Sequence, residues 1–367
     1  MCHRAFFARS VTLAPPTLKT RLRLLGTYFL FVLLALAPAS LLAANGTVSV
    51  SGATILRDGV PWQVKGVVIA AFAPPDAGIK DAYAKARARF GIPALDKIRA
   101  YGADVIRMHV NQDELDPENK RRSKTYKEKY VSAVRLARSR GFNVIVNMVK
   151  WSPEDGADDP DRGMPYLPSE VTVRAWRQLA PIFKDDSGVM FEVFNEPGLK
   201  QNTSANWSKL KKATQPVIDA IRGSGAKNAI IVEGVRNAHY LSEEFILNDP
   251  ERKLIYGVHP FINKDARDRA SWERDWGFMS KKVPIMVTAF NATASRKGCR
   301  PELPQLARQM LDYLEEKKIG YVLWAFDLAV LINPVTDAPT DYVNFKCGVG
   351  TPKGIGALGK EYFKRRH

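Results

Sequence analysis

The chain of 367 residues is 46% hydrophobic and 25% charged, and its 55 Lys and Arg outnumber 38 Asp and Glu, giving a formal net charge of +17. Such a composition suits a globular protein with a sizeable core and excludes a mostly disordered chain. Three cysteines, none at metal-ligand spacing, give no sign of a zinc module.

Residues 1–44 contain no Asp or Glu. They carry Arg4, Arg9, Lys19, Arg21 and Arg23, then an apolar run over 24–36, then small residues over 37–44 with Pro38 among them. Charge, apolar stretch and small-residue exit are the parts of a secretory signal. The expectation is therefore an export leader at 1–44 and a mature domain at 45–367, periplasmic or secreted. Left uncleaved, residues 24–44 could anchor the chain in a bilayer, which is the one membrane contact expected. Losing the five leader cations lowers the charge from +17 to +12. That excess could suit an anionic surface or an acidic polysaccharide. Zinc-finger spacing is absent, and a solvated basic surface is the simpler account, so no nucleic-acid role is expected.

Residues 47–60 alternate as a short hairpin with Asp58-Gly59 at its turn. From residue 63 one unit recurs: a short apolar run, a polar loop, then an amphipathic stretch. The apolar runs fall at 63–69, 104–110, 143–148, 189–194, 229–233, 254–259, 284–289 and 320–326. Helical spacing is clear at 126–140, 170–184, 207–222 and 303–318, and weaker at 242–247 and 266–278. Gly141, Gly188, Gly223 and Gly320 stand where helices stop or strands begin. Alternation of this kind means a parallel sheet, and eight units predict a single-domain α/β protein closed into a (β/α)₈ TIM barrel. No G-x-G-x-x-G turn follows the first strand, which argues against a dinucleotide-binding sheet. Cys2 leaves with the leader. Cys299 and Cys347 both follow late strands, and a disulfide between them is expected in an exported protein.

A barrel of this kind keeps its chemistry at the C-terminal ends of its strands. The fourth run closes on Phe194-Asn195-Glu196-Pro197. A glutamate there can protonate a leaving glycosidic oxygen, and the adjacent amide can hold a sugar hydroxyl. The second run holds Arg107, the sixth ends at His259, and the eighth presents Trp324, a flat apolar face for a pyranose ring.

These four strand ends, in this order, resemble the cellulase-type glycoside hydrolases of family 5, over most of the chain after residue 45. The resemblance implies that Glu196 is the acid/base catalyst and that Arg107, Asn195, His259 and Trp324 bind substrate. It implies a β-linked polysaccharide or oligosaccharide as partner, with no cofactor and no metal. The seventh run departs from the family. It reads Val287-Thr288-Ala289-Phe290, with Ala289 where the family carries its nucleophilic glutamate. Phe261 replaces the tyrosine that commonly follows the site histidine by two residues, and Val149 replaces a strand-three histidine. Retaining hydrolysis needs two carboxyl groups about 5–5.5 Å apart, and a methyl group cannot serve as one of them. Asp113, Glu114, Glu154, Asp155 and Asp327 lie in mouth loops as possible substitutes.

Three functions remain open at this stage. The first is a β-glycan binder with hydrolysis impaired or lost. The second is a working endo-β-glycanase, with a relocated carboxylate or as a nucleophile-substituted copy of a retaining enzyme. The third is a basic barrel that binds anionic polymer.

Overall fold

A computed structural model describes residues 46–79, 81–150, 167–262, 268–292, 300–343, 345 and 354–365. The leader at 1–44, the two cysteines expected to pair (Cys299 and Cys347), and Glu154 and Asp155 lie outside these residues. Among the described residues no helix is long and apolar enough to cross a membrane.

Eight parallel strands close a barrel. In chain order they are β1 (Lys65–Ile69), β2 (Val105–Asn111), β3 (Asn143–Val149), β4 (Val189–Glu192), β5 (Ile230–Glu233), β6 (Leu254–Val258), β7 (Ile285–Phe290) and β8 (Gly320–Leu323). Each pairs with its sequence neighbour, and β8 returns to β1 through Tyr321 opposite Lys65. All eight apolar runs of the sequence are strands, with ends that differ by a few residues.

The crossovers differ in strength, as the apolar spacing suggested. Between β1 and β2 run α1 (Asp81–Arg89) and α2 (Ile92–Tyr101). Three long helices follow: α3 (Tyr126–Ser139), α4 (Glu170–Phe183) and α5 (Ser204–Gly223). A capping box between Ser169 and Thr172 starts α4 and satisfies its first N–H groups. The fifth crossover holds only a turn at Val235–Ala238 and one 3₁₀ turn at Glu243–Phe245. The sixth has the short α6 (Arg269–Asp275), begun by an Asp268 cap on the Ser271 N–H. Then come α7 (Leu303–Glu316) and α8 (Gly356–Lys364).

The 47–60 hairpin is a three-stranded antiparallel sheet, Val48–Ser51, Thr54–Arg57 and Val60–Pro61. Its first turn is at Gly52, and Asp58-Gly59 makes the second, with φ of 53° and 80° as a two-residue hairpin turn requires. Val48 and Ile55 pack with the barrel's inner apolar residues, including Val105, Ile145 and Met190. Asn143, at the start of β3, donates to Gly46 O, so this small sheet plugs the N-terminal end of the barrel. The opposite end is left for chemistry.

Candidate active site

Strand residues alternate between the inside of the barrel and the helix layer. Val105 of β2, Met190 of β4, Ile231 of β5 and Met286 of β7 all lie in the inner apolar cluster. Two residues further along each strand, on the same face, come Arg107, Glu192, Glu233 and Thr288. Their outward neighbours Ile106, Phe191, Val232 and Val287 pack against the helices. The barrel interior is therefore layered, apolar below and ionisable above. Gly257 of β6 leaves room for this upper layer. A Cβ there would lie 3.0 Å from Thr288 Oγ1, 3.1 Å from Ile231 Cγ2 and 3.2 Å from Glu233 Cγ.

Arg107 is the hub. Its Nε donates to Glu192 Oε2 at 2.5 Å, and its Nη2 donates to Asn195 Oδ1 at 2.8 Å and to Glu233 Oε1 at 3.2 Å. Nη1 donates to His109 Nε2 at 3.2 Å. Burial, together with the nearby Arg107 and His259 charges, holds His109 well below the ordinary histidine range. Neutral His109 then accepts through Nε2 and keeps its proton on Nδ1.

His259 follows β6 and joins the acid to this layer. Its Nδ1 is 2.7 Å from Glu196 Oε1, and its Nε2 is 3.1 Å from Glu233 Oε1 and 3.0 Å from Thr288 Oγ1. Burial alone would lower its pKa, but the charges and hydrogen bonds of Glu233 and Glu196 outweigh it and raise the value to about 9. The ring is thus an imidazolium that donates from both nitrogens. Glu233 and Glu192 titrate as a pair. Burial opposes ionisation of Glu233, yet His259, Glu192 and Arg107 hold it down at about 2. At Glu192 burial and the Glu233 charge win over Arg107 and push it up to about 7.

Glu196 stands just above this layer in a left-handed conformation, φ 52°, and its side chain is 18% exposed. Its N–H donates to Glu233 Oε2 at 2.6 Å. The side chains of Arg107, Glu192, Glu233 and His259 are 0% exposed, so Glu196 is the member of the array that meets solvent.

Trp324 follows β8, half-buried, with its ring centroid 5.2 Å from that of His109. Ala289 is buried near the end of β7, where the register with β8 slips by one residue between Val287 and Phe290. It belongs to neither apolar cluster of the barrel. Its neighbour Thr288 bonds His259, which bonds Glu196. The Phe261 ring lies 5.9 Å from the His259 ring, and Val149 is buried at the end of β3.

The structure thus gathers Arg107, Asn195, Glu196 and His259 into one hydrogen-bonded array, with Trp324 beside it. Two of the loop carboxylates considered as substitutes have other engagements. Asp327 accepts the N–H groups of Ala70 and Ala71 at 3.1 and 2.8 Å, and burial pushes it up to about 6. Glu114 accepts those of Asp76 and Ser123 at 3.1 and 2.5 Å. Asp113 sits in the first turn of the short helix Gln112–Leu115. Strand-end reasoning overlooked Glu192, Glu233, His109 and Thr288. The available signal was the two-residue period from each inward apolar residue, and Glu233 is itself the last residue of the fifth run.

Fold and site together define a (β/α)₈ barrel with a glutamate held over a buried layer of paired charges at the C-terminal ends of its strands. The sequence matches Cellulase (glycosyl hydrolase family 5) over residues 92–329, and the chain belongs to that family. It is 24% identical over 215 residues to cellulase CelDZ1 of a Thermoanaerobacterium species, covering 54% of this chain and 52% of that protein. It is 25% identical over 236 residues to endoglucanase E-5 of Thermobifida fusca, covering 61% and 45%. The chain spans about half the length of these curated relatives. Among solved structures, the β-glucanase SdGluc5_26A of Saccharophagus degradans superimposes with a TM-score of 0.65 at 21% identity, over 87% of this chain and 94% of that one. That β-glucanase has also been crystallised with cellotetraose.

Proposed function

We propose that the protein binds β-linked glycan at the barrel mouth and hydrolyses it poorly or not at all. Glu196 is the retained acid/base, and Ala289 stands where the family's nucleophilic glutamate belongs. The observation that carries this reading is the end of β7, Thr288-Ala289-Phe290, which is buried, slips in register against β8 and contains no carboxyl group, whereas retaining hydrolysis needs two.

Four neighbouring carboxylates among the described residues support it, because each is committed elsewhere. Glu233 is fully buried with both oxygens in hydrogen bonds, Glu192 is bound to Arg107, and Asp327 and Glu114 each hold two backbone N–H groups. Asn195 has its carbonyl taken by Arg107, so its amide N–H groups are the ones to meet a sugar hydroxyl. Arg107 and His259 act through Asn195 and Glu196, and Trp324 supplies the flat face for a pyranose ring. Relatives named cellulase and endoglucanase, and a fold neighbour crystallised with cellotetraose, favour a β-glucan among β-glycans. With this goes export of the domain behind a leader at residues 1–44.

Native-gel retardation tests the reading. Mobility is expected to fall in gels containing soluble β-glucan and to recover in Trp324→Ala, while Glu196→Gln remains retarded. Unchanged mobility in every β-glucan and β-mannan tried contradicts it.

A further inference from the structure

Arg107 Nη2 and His259 Nε2 lie 3.4 Å apart in a layer closed to solvent. With His259 an imidazolium this is a contact between two cations, and it persists only if an anion is shared between them. Glu233 is that anion. Its Oε1 accepts from both, at 3.2 and 3.1 Å, and its Oε2 accepts the Glu196 N–H. A residue with a Cβ holds a left-handed φ only where its surroundings impose it. At Glu196 the surroundings are the exit of β5. Besides the Glu233 contact, the Arg236 N–H donates to Leu199 O at 2.8 Å and the Asn237 N–H to Pro197 O at 3.0 Å. The end of β5 therefore grips the whole loop that carries the acid.

We propose that Glu233 is the positioning residue of this site: one fixed carboxylate that orients Arg107 and His259, pins the backbone of Glu196, and supplies from β5 the counter-charge that β7, ending in Ala289, does not. The part played by Glu196 toward glycan rests on the reading above, whereas the anchoring by Glu233 stands independently of it. The charged and titratable groups around His259 are Glu233 from β5, Glu196 from the loop after β4, Glu192 from β4, Arg107 and His109 from β2, and His239 from the turn after β5. Of these, Glu233 and Glu196 bond the ring directly.

The test is NMR of the full chain with ¹⁵N label, following the His259 ring nitrogens against pH and the Glu196 amide. The His259 signals are assigned by their loss in His259→Gln. In the wild type His259 is expected to titrate near 9. Glu233→Gln is expected to lower that midpoint by about one unit or more, a tenfold change in proton affinity, and to move the Glu196 amide proton upfield. Glu233→Asp should recover part of the shift, and Glu192→Gln, which removes a nearby carboxyl that does not bond the ring, should lower the His259 midpoint by less than Glu233→Gln does. An unchanged midpoint in Glu233→Gln overturns the proposal. So does a wild-type His259 that titrates at or below 6.5, a measurement that needs no variant to fold. Adding cellotetraose to the same samples separates the two claims. A raised midpoint with no ligand-induced shift leaves the anchoring by Glu233 standing and removes the glycan site.

Discussion

His259 ties the acid of the site to the stability of the barrel. Its pKa rises from 6.5 to about 9 on folding, so its contribution is complete below 6.5 and is lost as pH climbs through 9. A shift of that size corresponds to something on the order of 3 kcal/mol. Glu192, raised from 4.5 to about 7, loses its contribution over the window just below. Thermal unfolding should therefore show Tm falling between pH 6.5 and 9, and His259→Gln should flatten that part of the curve. A wild-type Tm that rises across this window contradicts the protonated assignment. Trp324 is the second residue that invites a direct test. Removing its ring should weaken β-glucan binding roughly tenfold or more while leaving the fold intact, as isothermal titration and circular dichroism would show. At this scale the sequence revealed groups that follow an apolar run or close it, which is why Asn195, Glu196, His259 and Trp324 were legible. Glu192, inside the fourth run, was not, because a carboxylate within a strand is readable only once the inward face is known, and Glu233 was overlooked although it closes the fifth run. The commitment of Asp327 to the N–H groups of Ala70 and Ala71 has no sequence signal either, since it joins residues more than 250 positions apart.

The elements that shape the mouth are β5, β6 and β7. β6 contributes an absence of side chain: Gly257 faces inward, where a methyl group would press on Thr288, Ile231 and Glu233 at once. Gly257→Ala should lower the denaturation midpoint, by about 1–3 kcal/mol of stability, with the slope unchanged. An equally stable variant would mean that the layer can shift to accommodate it. β7 contributes the register slip beside Ala289, which its apolar pattern does not announce, because a bulge is defined against the partner strand. The strands themselves were readable: parallel strands buried on both faces are continuous apolar runs, and all eight appear as such. The fifth and sixth crossovers were weak in the sequence because they are short in the molecule, a turn and a 3₁₀ segment in one and a helix of seven residues in the other. The hairpin reading found the turn at Asp58-Gly59 but missed the earlier one at Gly52, which divides the stretch before it into two strands.

On the scale of the whole molecule, the barrel is closed below by the small antiparallel sheet and polar above, and a carboxylic acid stands over the polar layer. The Arg107 and His259 side chains of this layer are faced by two glutamates, Glu192 and Glu233, and the layer forms without any carboxyl group from β7. On the function proposed above, such a site has a proton donor and no attacking group. An external anion small enough to enter should then take the missing part. With 2,4-dinitrophenyl β-cellobioside the leaving group needs no proton, so the wild-type chain should release little phenolate alone and far more with added azide. The product should be the α-cellobiosyl azide, its new C–N bond formed as the glycosidic C–O bond breaks. Azide-independent hydrolysis of this substrate with retention at the anomeric carbon would show that a protein nucleophile is present, and would contradict the account.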